Sequence, residues 1–254
     1  MIATRNRSLD IALPALVLTM LLALLPASAV GIGGKDTFGS GVATSETRSP
    51  GGFHGVALTL EAKLELVQDG KEEVTITSDD NIVPLVETVV EDGTLNIRWK
   101  KGTHSARYKE LGIVVHAKSV DSIALAGSGV ITAKALKTAT LRVSLAGSGR
   151  ATVDSLKAES ASVNIEGSGN VSAGGRVDSL DVSVAGSGQL SAARLESKNA
   201  KVAMAGSGRA VLWATQTLDA SVLGSGTVRY YGKPRVHSAV AGSGTVKQMI
   251  DAAG

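Results

Sequence analysis

Hydrophobic residues alternate with small or polar ones along most of the chain after residue 120. In the stretch VSLAGSGRATV (Val143–Val153), every second residue on both sides of a Gly-Ser-Gly triplet is apolar. This period-two pattern predicts β-strands with one buried face. After residue 120 the triplet recurs with its first glycine at Gly127, Gly147, Gly167, Gly186, Gly206, Gly224 and Gly242, at spacings of 20, 20, 19, 20, 18 and 18 residues.

The residue two positions before each triplet is always hydrophobic. These residues are Leu125, Leu145, Ile165, Val184, Met204, Val222 and Val240. A fixed period in a glycine-rich, β-branched sequence is typical of a solenoid, in which each repeat stacks on the previous one. We therefore predict an all-β, parallel β-solenoid with coils of about 20 residues. The first glycines of the triplets are its corners, because glycine adopts positive φ freely and has no Cβ to hinder stacking.

The chain divides into segments of different character. Residues 30–50 are rich in Gly, Ser and Thr and are predicted to be a flexible leader. Residues 51–118 predict irregular N-terminal coils, including a β-hairpin that turns at Asp92-Gly93. Residues 119–245 hold the Gly-Ser-Gly coils, and residues 246–254 are predicted to be a C-terminal cap or tail.

The first 29 residues predict a cleaved secretory signal peptide. Arg5 and Arg7 precede an almost wholly apolar run, and Ala27-Ser28-Ala29 supplies a cleavage site of small residues. The mature chain is then expected to start at Val30 and to reside in the periplasm, outside the cell or at the cell surface. No stable membrane insertion is expected after cleavage.

Two longer stretches resemble a known family. FHGVALTLEAKLELVQDG and NIVPLVETVVEDGTLNIRWKKG, followed by the LAGSG coils, are similar to the head GIN domain of exported bacterial proteins, often described as an autotransporter adhesin head. The resemblance covers roughly residues 51–245. It implies a right-handed solenoid whose early coils are irregular, and it brings no catalytic residues.

The amino-acid composition limits the kinds of binding site that the chain can form. The chain has no cysteine, so neither disulfides nor thiolate metal sites are expected. Its formal net charge of +3 is too small to favour nucleic acid as a partner. No cofactor or metal is expected, because His54, His104, His116 and His237 are too dispersed for a metal motif.

The acidic residues do not predict an enzyme. Hydrolysis of polysaccharides needs two carboxylates at a set separation, whereas the acidic residues of the coils fall at scattered positions, with Asp181 and Asp219 aligned but two coils apart. The serines of the triplets match neither a phosphate loop nor a nucleophile elbow, since both need a following helix. We expect no catalytic residues.

Four surfaces are candidates for binding. The first is a basic-aromatic cluster suited to an anionic polymer: Arg98, Trp99, Lys100, Lys101, His104, Arg107, Tyr108 and Lys109. The second is a column just after the corners, suited to an extended sugar chain: Arg150, Asn170, Gln189 and Arg209, with Thr132, Thr152, Ser172 and Ser191 beside it.

The other two surfaces are less polar. Small residues before the corners form two rows suited to a second protein or another copy: Ala124, Ser144, Ser183 and Ala203, and Ala126, Ala146, Ala185 and Ala205. Trp213, Tyr230 and Tyr231 are interpreted as a cap on the far end, with a stacking platform as the alternative. We expect an exported, non-catalytic solenoid that binds a glycan or an envelope protein. The alternatives are a structural envelope protein acting through protein contacts and, less favoured, a polysaccharide-active enzyme.

Overall fold

The computed structural model describes residues 37–103 and 106–250, whose regular structure is β-strand apart from one 3₁₀ turn at Val83–Leu85. The predicted signal peptide lies outside the described residues. The N-terminal strands are β1 (Thr37–Phe38), β2 (Ala43–Arg48), β3 (Gly55–Leu58), β4 (Lys63–Gln68), β5 (Glu73–Asp79), β6 (Val86–Glu91), β7 (Thr94–Trp99), β8 (Ala106–Arg107) and β9 (Gly112–Ala117). The coil strands are β10 (Ser122–Gly127), β11 (Val130–Lys137), β12 (Thr140–Gly147), β13 (Arg150–Gly167), β14 (Asn170–Gly186), β15 (Gln189–Gly206), β16 (Arg209–Gly224), β17 (Thr227–Tyr231), β18 (Arg235–Ala241) and β19 (Thr245–Gln248).

The coil strands stack in parallel, each residue beside its equivalent in the next coil. Val143 pairs with Val163, Leu145 with Ile165, and Gly147 with Gly167. The same register continues in β14, β15 and β16 over the segments that lead into the corners, whereas it shifts in the segments that follow Val153, Ser172 and Ala192. The fold is therefore the predicted parallel β-solenoid, with about six turns.

The core is a stack of aliphatic side chains inside the coils. The column two residues before the corners is at most 2% exposed from Leu125 to Val222. Burying each such side chain contributes roughly 1.5–3 kcal/mol. Because the core contains few bulky side chains, the stabilisation is distributed over many coils, each of which contributes a few small aliphatic side chains.

The corner glycines form one column along the solenoid. Their φ angles lie between +100° and +122°, a region that side chains strongly disfavour. Successive corners are also joined by backbone hydrogen bonds; the Ser168 N–H, for example, donates to the Gly147 carbonyl at 2.9 Å. The triplet is thus a stacked corner.

The predicted hairpin is confirmed. β6 pairs antiparallel with β7, and Asp92 and Gly93 both have positive φ, at 49° and 72°, as a type I′ turn requires. β7 pairs in parallel with β3, which in turn pairs with β10. The irregular N-terminal part therefore joins the solenoid directly.

The prediction of a flexible leader is wrong for residues 43–48. These residues form β2, which pairs antiparallel with β5 over six residues. Hydroxyl groups bond across the pair: Ser45 with Thr77 at 3.0 Å, and Thr47 with Thr75 at 3.2 Å. A polar segment is thus ordered by a strand that lies about thirty residues further along the chain.

The predicted C-terminal cap is corrected as well. Residues 246–248 lie in β19, which pairs in parallel with β17 and adds a last rung to the stack. Val236 and Val240, on the inward side of β18, remain 37% and 43% exposed. The described tail therefore extends the solenoid without covering its end.

Candidate functional site

A groove runs along the strand segments that lead into the corners, here called the pre-corner face. It has a volume of about 350 Å³ and crosses four coils. One wall is a column of hydroxyl and amide side chains, here called the amide column: Ser160, Ser179, Asn199 and Thr217. The other is the charged column: Ser162, Asp181, Lys201 and Asp219.

The stacking of parallel strands positions these side chains. Neighbouring coils are about 4.8 Å apart, so each column presents one polar group per coil. Thr217 Oγ1 donates to Asn199 Oδ1 at 2.7 Å. This bond holds both side chains in one orientation, so the part of the amide column formed by Asn199 and Thr217 is ordered.

The charged column keeps its bonding capacity. Among the described residues, the ion pairs within 4 Å do not include Asp181, Lys201 or Asp219. Lys201 lies between the two aspartates on the intervening coil. Because Lys201 occupies the position between them, Asp181 and Asp219 do not flank an open space, as the two catalytic carboxylates of a glycosidase do. The groove is equipped to form hydrogen bonds with a ligand.

Sequence reasoning missed this groove. Its columns lie seven and five residues before each corner glycine, whereas the columns predicted from the sequence lie between the third residue before that glycine and the fifth residue after it. A longer alignment of the repeats shows serine, threonine, asparagine and aspartate at these two positions, and this recurrence is a signal for two polar columns. Depth, however, depends on how the strands curve, and a residue pattern does not give it.

The basic-aromatic cluster is divided in the structure. Arg98 donates to Glu87 at 2.7 Å and to both carboxylate oxygens of Glu91 at 2.8 and 3.1 Å. These bonds to Glu91 and Glu87 raise the pKa of Arg98, and the bond from Arg98 lowers the pKa of Glu91. The guanidinium is thus neutralised by two carboxylates, while Lys100 and Lys101 are exposed. His104 lies outside the described residues.

The aromatic members of the cluster pack together. The ring centroids of Trp99 and Tyr108 are 5.7 Å apart, and Tyr108 donates its hydroxyl to the Glu61 carbonyl at 2.7 Å. Burial raises the pKa of Tyr108. Both rings lie against the core, so packing accounts for much of their placement.

A second concavity, here called the crevice, lies beside this cluster. It has a volume of about 650 Å³, and its wall includes the small sheet in which β1 pairs with β8. Phe38 is 61% exposed there, and the Arg107 guanidinium lies 5.8 Å from the centre of its ring. Tyr108 and Lys109 also line it. Asp79 and Glu110 line it too, but Glu110 is paired with Lys63 at 2.8 Å and Asp79 accepts from the Gly41 N–H at 3.1 Å. The crevice thus combines apolar walls with two cations and two carboxylates that already have partners.

The remaining sequence-predicted surfaces are ordered columns. Arg150, Asn170, Gln189 and Arg209 occupy successive coils in register. The two small-residue rows also stack in register, and Leu223 continues the alanine row with 63% of its surface exposed. Trp213 pairs with Tyr231 on neighbouring strands, and Tyr230 packs against the core.

The described residues contain neither a cluster of metal-binding side chains nor a helix that could span a membrane. Over residues 37–103 and 106–250, no three His, Asp or Glu side chains come together as a metal site requires. No helix in that part of the chain has the length and hydrophobicity needed to cross a membrane.

The fold is a stacked β-solenoid whose faces display repeated polar columns. The sequence profile of the family described as "Putative auto-transporter adhesin, head GIN domain" matches residues 52–234. The chain belongs to this family. None of the curated proteins matches the sequence.

Several solved structures share the fold. A "putative adhesin" from Bacteroides fragilis NCTC 9343 is 25% identical, with a TM-score of 0.80 over 84% of this chain and 99% of that chain. A "putative lipid binding protein" from Parabacteroides distasonis ATCC 8503 is 24% identical, with a TM-score of 0.73 over 85% of this chain and 100% of that chain. A "putative adhesin" from Parabacteroides merdae ATCC 43184 is 20% identical, with a TM-score of 0.69 over 84% and 99% of the two chains.

Proposed function

We propose that this protein is an exported, non-catalytic adhesin that binds a glycan chain along the groove of the pre-corner face. The observation that carries the proposal is the pair of polar columns on four successive coils. A glycan is also a chain of repeated units that display hydroxyl groups. A ladder of donors and acceptors with one rung per coil suits such a ligand.

The charges favour a neutral glycan over an anionic one. The charged column holds two aspartates and one lysine, so its formal charge is −1 and it would repel a polyanion. The hydroxyl groups of a neutral glycan both donate and accept hydrogen bonds. They can therefore bond the carboxylates, the amide and the Lys201 amine of the groove. No aromatic side chain from the part of the chain that the structure describes lines the groove, so affinity depends on hydrogen bonds and on contact with several coils.

The test compares the groove with another face of the same coils. The full chain is screened against immobilised neutral and anionic oligosaccharides, and the double variant Asn199→Ala/Lys201→Ala is compared with Ser155→Ala/Lys157→Ala. We expect the groove variant to lose about 10- to 100-fold in affinity, since it removes one neutral and one charged hydrogen-bonding group. The control pair is exposed and lies outside the groove lining.

Three outcomes contradict the proposal: no binding to any neutral glycan, equal losses in both double variants, or cleavage of the bound sugar. Strong binding to an envelope protein through the small-residue rows favours the alternative role in protein–protein contact. Export is tested separately by cell fractionation and N-terminal sequencing, with Val30 as the expected first residue. A retained signal segment contradicts the export step alone.

The crevice supports a second candidate function. Phe38 offers an exposed apolar surface, while Arg107 and Lys109 supply cations at the same place. The carboxylates of Glu110 and Asp79, which also line the crevice, already accept bonds from Lys63 and the Gly41 N–H. The two cations therefore suit the head group of an anionic amphiphile such as a fatty acid or lipid A. We expect Phe38→Ala to weaken binding of a fluorescent fatty acid while leaving glycan binding unchanged. Unaltered fatty-acid binding in that variant removes the candidate.

A further inference from the structure

The two ends of the solenoid differ in how they are closed. At the C-terminal end, Val236 and Val240 stack on Leu218 and Val222. Leu218 and Val222 are at most 1% exposed, but the two valines above them are 37% and 43% exposed. The core therefore ends on an open apolar layer.

The backbone of this end is open too. β18 pairs with β16 on one side, and all seven of its residues are exposed. Since a parallel strand directs its N–H and C=O groups alternately to its two neighbours, about half of the groups in β18 have no strand to bond within residues 37–103 and 106–250. Proteins normally cover or charge such edges, because they recruit other strands.

The N-terminal end is closed by contrast. Ile82 and Val83 are at most 1% exposed there. Arg48 reaches across from β2 and donates to the carbonyls of Val86 at 2.7 Å and Val83 at 3.1 Å. The strands at that end, β2 and β6, pair antiparallel with β5 and β7, and Arg48 occupies the first backbone carbonyl of β6. The N-terminal end therefore does not offer β18 the edge of a regular parallel coil, and head-to-tail stacking into a fibre is disfavoured.

We propose that β18 of two copies pair antiparallel across a two-fold axis at Ser238, making an end-to-end dimer. In this register Val236 of one copy faces Val240 of the other, and Ser238 faces Ser238. The cations are kept apart, since Arg235 faces Ala241 and His237 faces Ala239. Apolar side chains thus meet on the inward side, and no like charges oppose each other on the outward side.

The dimer also has a consequence for the groove. An antiparallel pair keeps inward side chains on one side of the extended sheet and outward side chains on the other. The pre-corner faces of both copies then form one continuous surface with two grooves. A long polymer that spans both is held by avidity. This consequence rests on the proposed function, whereas the dimer itself does not.

The first test uses a cysteine on the axis. The chain has no cysteine of its own, so Ser238→Cys introduces a single thiol. Residues opposed in a hydrogen-bonded antiparallel pair have Cα atoms about 5.5 Å apart, within the range of about 4.4–6.8 Å for disulfides. We expect oxidation to give a covalent dimer in high yield, and Ser225→Cys, at an exposed corner, to give little. Equal cross-linking of both variants contradicts the proposal.

The second test uses charge to read the register. Sedimentation analysis of the unmodified chain should show a monomer–dimer equilibrium. V236K/V240K places lysines opposite each other and should abolish the dimer, whereas V236K/V240E places Lys opposite Glu twice and should restore it at low salt. A parallel register would instead oppose Lys with Lys and Glu with Glu.

The controls separate this edge from the alanine row. Leu223→Lys changes the exposed residue of that row and should leave the dimer intact. Circular dichroism establishes that each variant is folded. A chain that stays monomeric up to millimolar concentration, a dimer lost with Leu223→Lys, or a V236K/V240E variant that remains monomeric each overturns the proposal. Because mass is measured without glycan, failure to bind sugar leaves this result unaffected.

Discussion

The carbonyl oxygen of Gly147 lies 2.7 Å from the position that a Cβ atom on Gly167 would occupy. Gly167 also has a φ of +108°. An alanine there would take a strained backbone conformation and press against the coil beneath. We expect Gly167→Ala to lower the free energy of unfolding by roughly 2–4 kcal/mol, from backbone strain and the displaced neighbour.

Chemical denaturation measures this effect, and the next residue supplies the control. Ser168 is exposed at the same corner, so Ser168→Ala should change the free energy of unfolding by less than about 0.5 kcal/mol. Similar losses for the two variants would mean that the corner serine, and not glycine conformation, stabilises the stack.

Arg48 closes the N-terminal end, and its removal should weaken that end. Its guanidinium bonds two backbone carbonyls as well as Glu46 at 2.8 Å. We expect Arg48→Met to lower the free energy of unfolding by about 1.5–3 kcal/mol, because carbonyls satisfied by a charged donor lose it. Arg48→Lys should recover little, since a single amine does not reproduce the planar fork.

Hydrogen exchange locates the Arg48 effect. Faster exchange in β2 and β6, with β14 and β15 unchanged, is the expected result. Arg142→Met is the matched control, because that arginine is exposed and forms no ion pair within the described residues. Uniformly faster exchange along the coils would contradict a local closing role.

The coils could be predicted from sequence because the same residue pattern recurs in each repeat. Glycine at the corner and an aliphatic residue two positions before it recur in every coil, so a single period predicts the stacking partners. β2 carries no such signal. Its ATSETR sequence is polar, and it is ordered by pairing with β5, which lies outside any local window.

The candidate site was less accessible to sequence reasoning than the fold. The positions of Asn199 and Lys201 follow from the repeat, but the groove between their columns depends on sheet shape. Arg98 illustrates the opposite case, since its sequence neighbours are cations while its bonding partners are Glu87 and Glu91. Charge in a linear stretch therefore overstates the charge that a folded surface presents.

The bond between Arg98 and Glu91 in the β6–β7 hairpin should make the free energy of unfolding depend on pH in the acid range. The bond from Arg98 lowers the pKa of Glu91 below its ordinary value of 4.5. A carboxyl whose folded pKa is depressed binds fewer protons when folded, so its contribution is complete above the unfolded pKa and is lost as pH falls through the folded pKa. We expect stability to fall below about pH 4.5 in the unmodified chain and less steeply in Glu91→Gln.

Urea denaturation near neutral pH and near pH 3 gives the comparison. Glu91→Gln should be less stable than the unmodified chain at neutral pH and closer to it in acid. Glu159→Gln is the control, since Glu159 is exposed on a coil and makes no ion pair within the described residues. An identical loss on acidification in all three proteins would place the pH dependence elsewhere.

Neighbouring rungs of one core column should respond differently to the same truncation. Val222 is 1% exposed, whereas Val240, directly above it, is 43% exposed. We expect Val222→Ala to lower the free energy of unfolding by about 2 kcal/mol, from the lost burial of two methyl-sized groups and the cavity left behind. Val240→Ala in a dilute, monomeric sample should cost less than about 1 kcal/mol, because part of that side chain already contacts water. At concentrations where two copies pair, the Val240→Ala cost should rise, since the valine is then buried against Val236 of the partner. A Val240→Ala cost that equals the Val222→Ala cost in dilute monomer would mean that the end layer is already covered within a single chain.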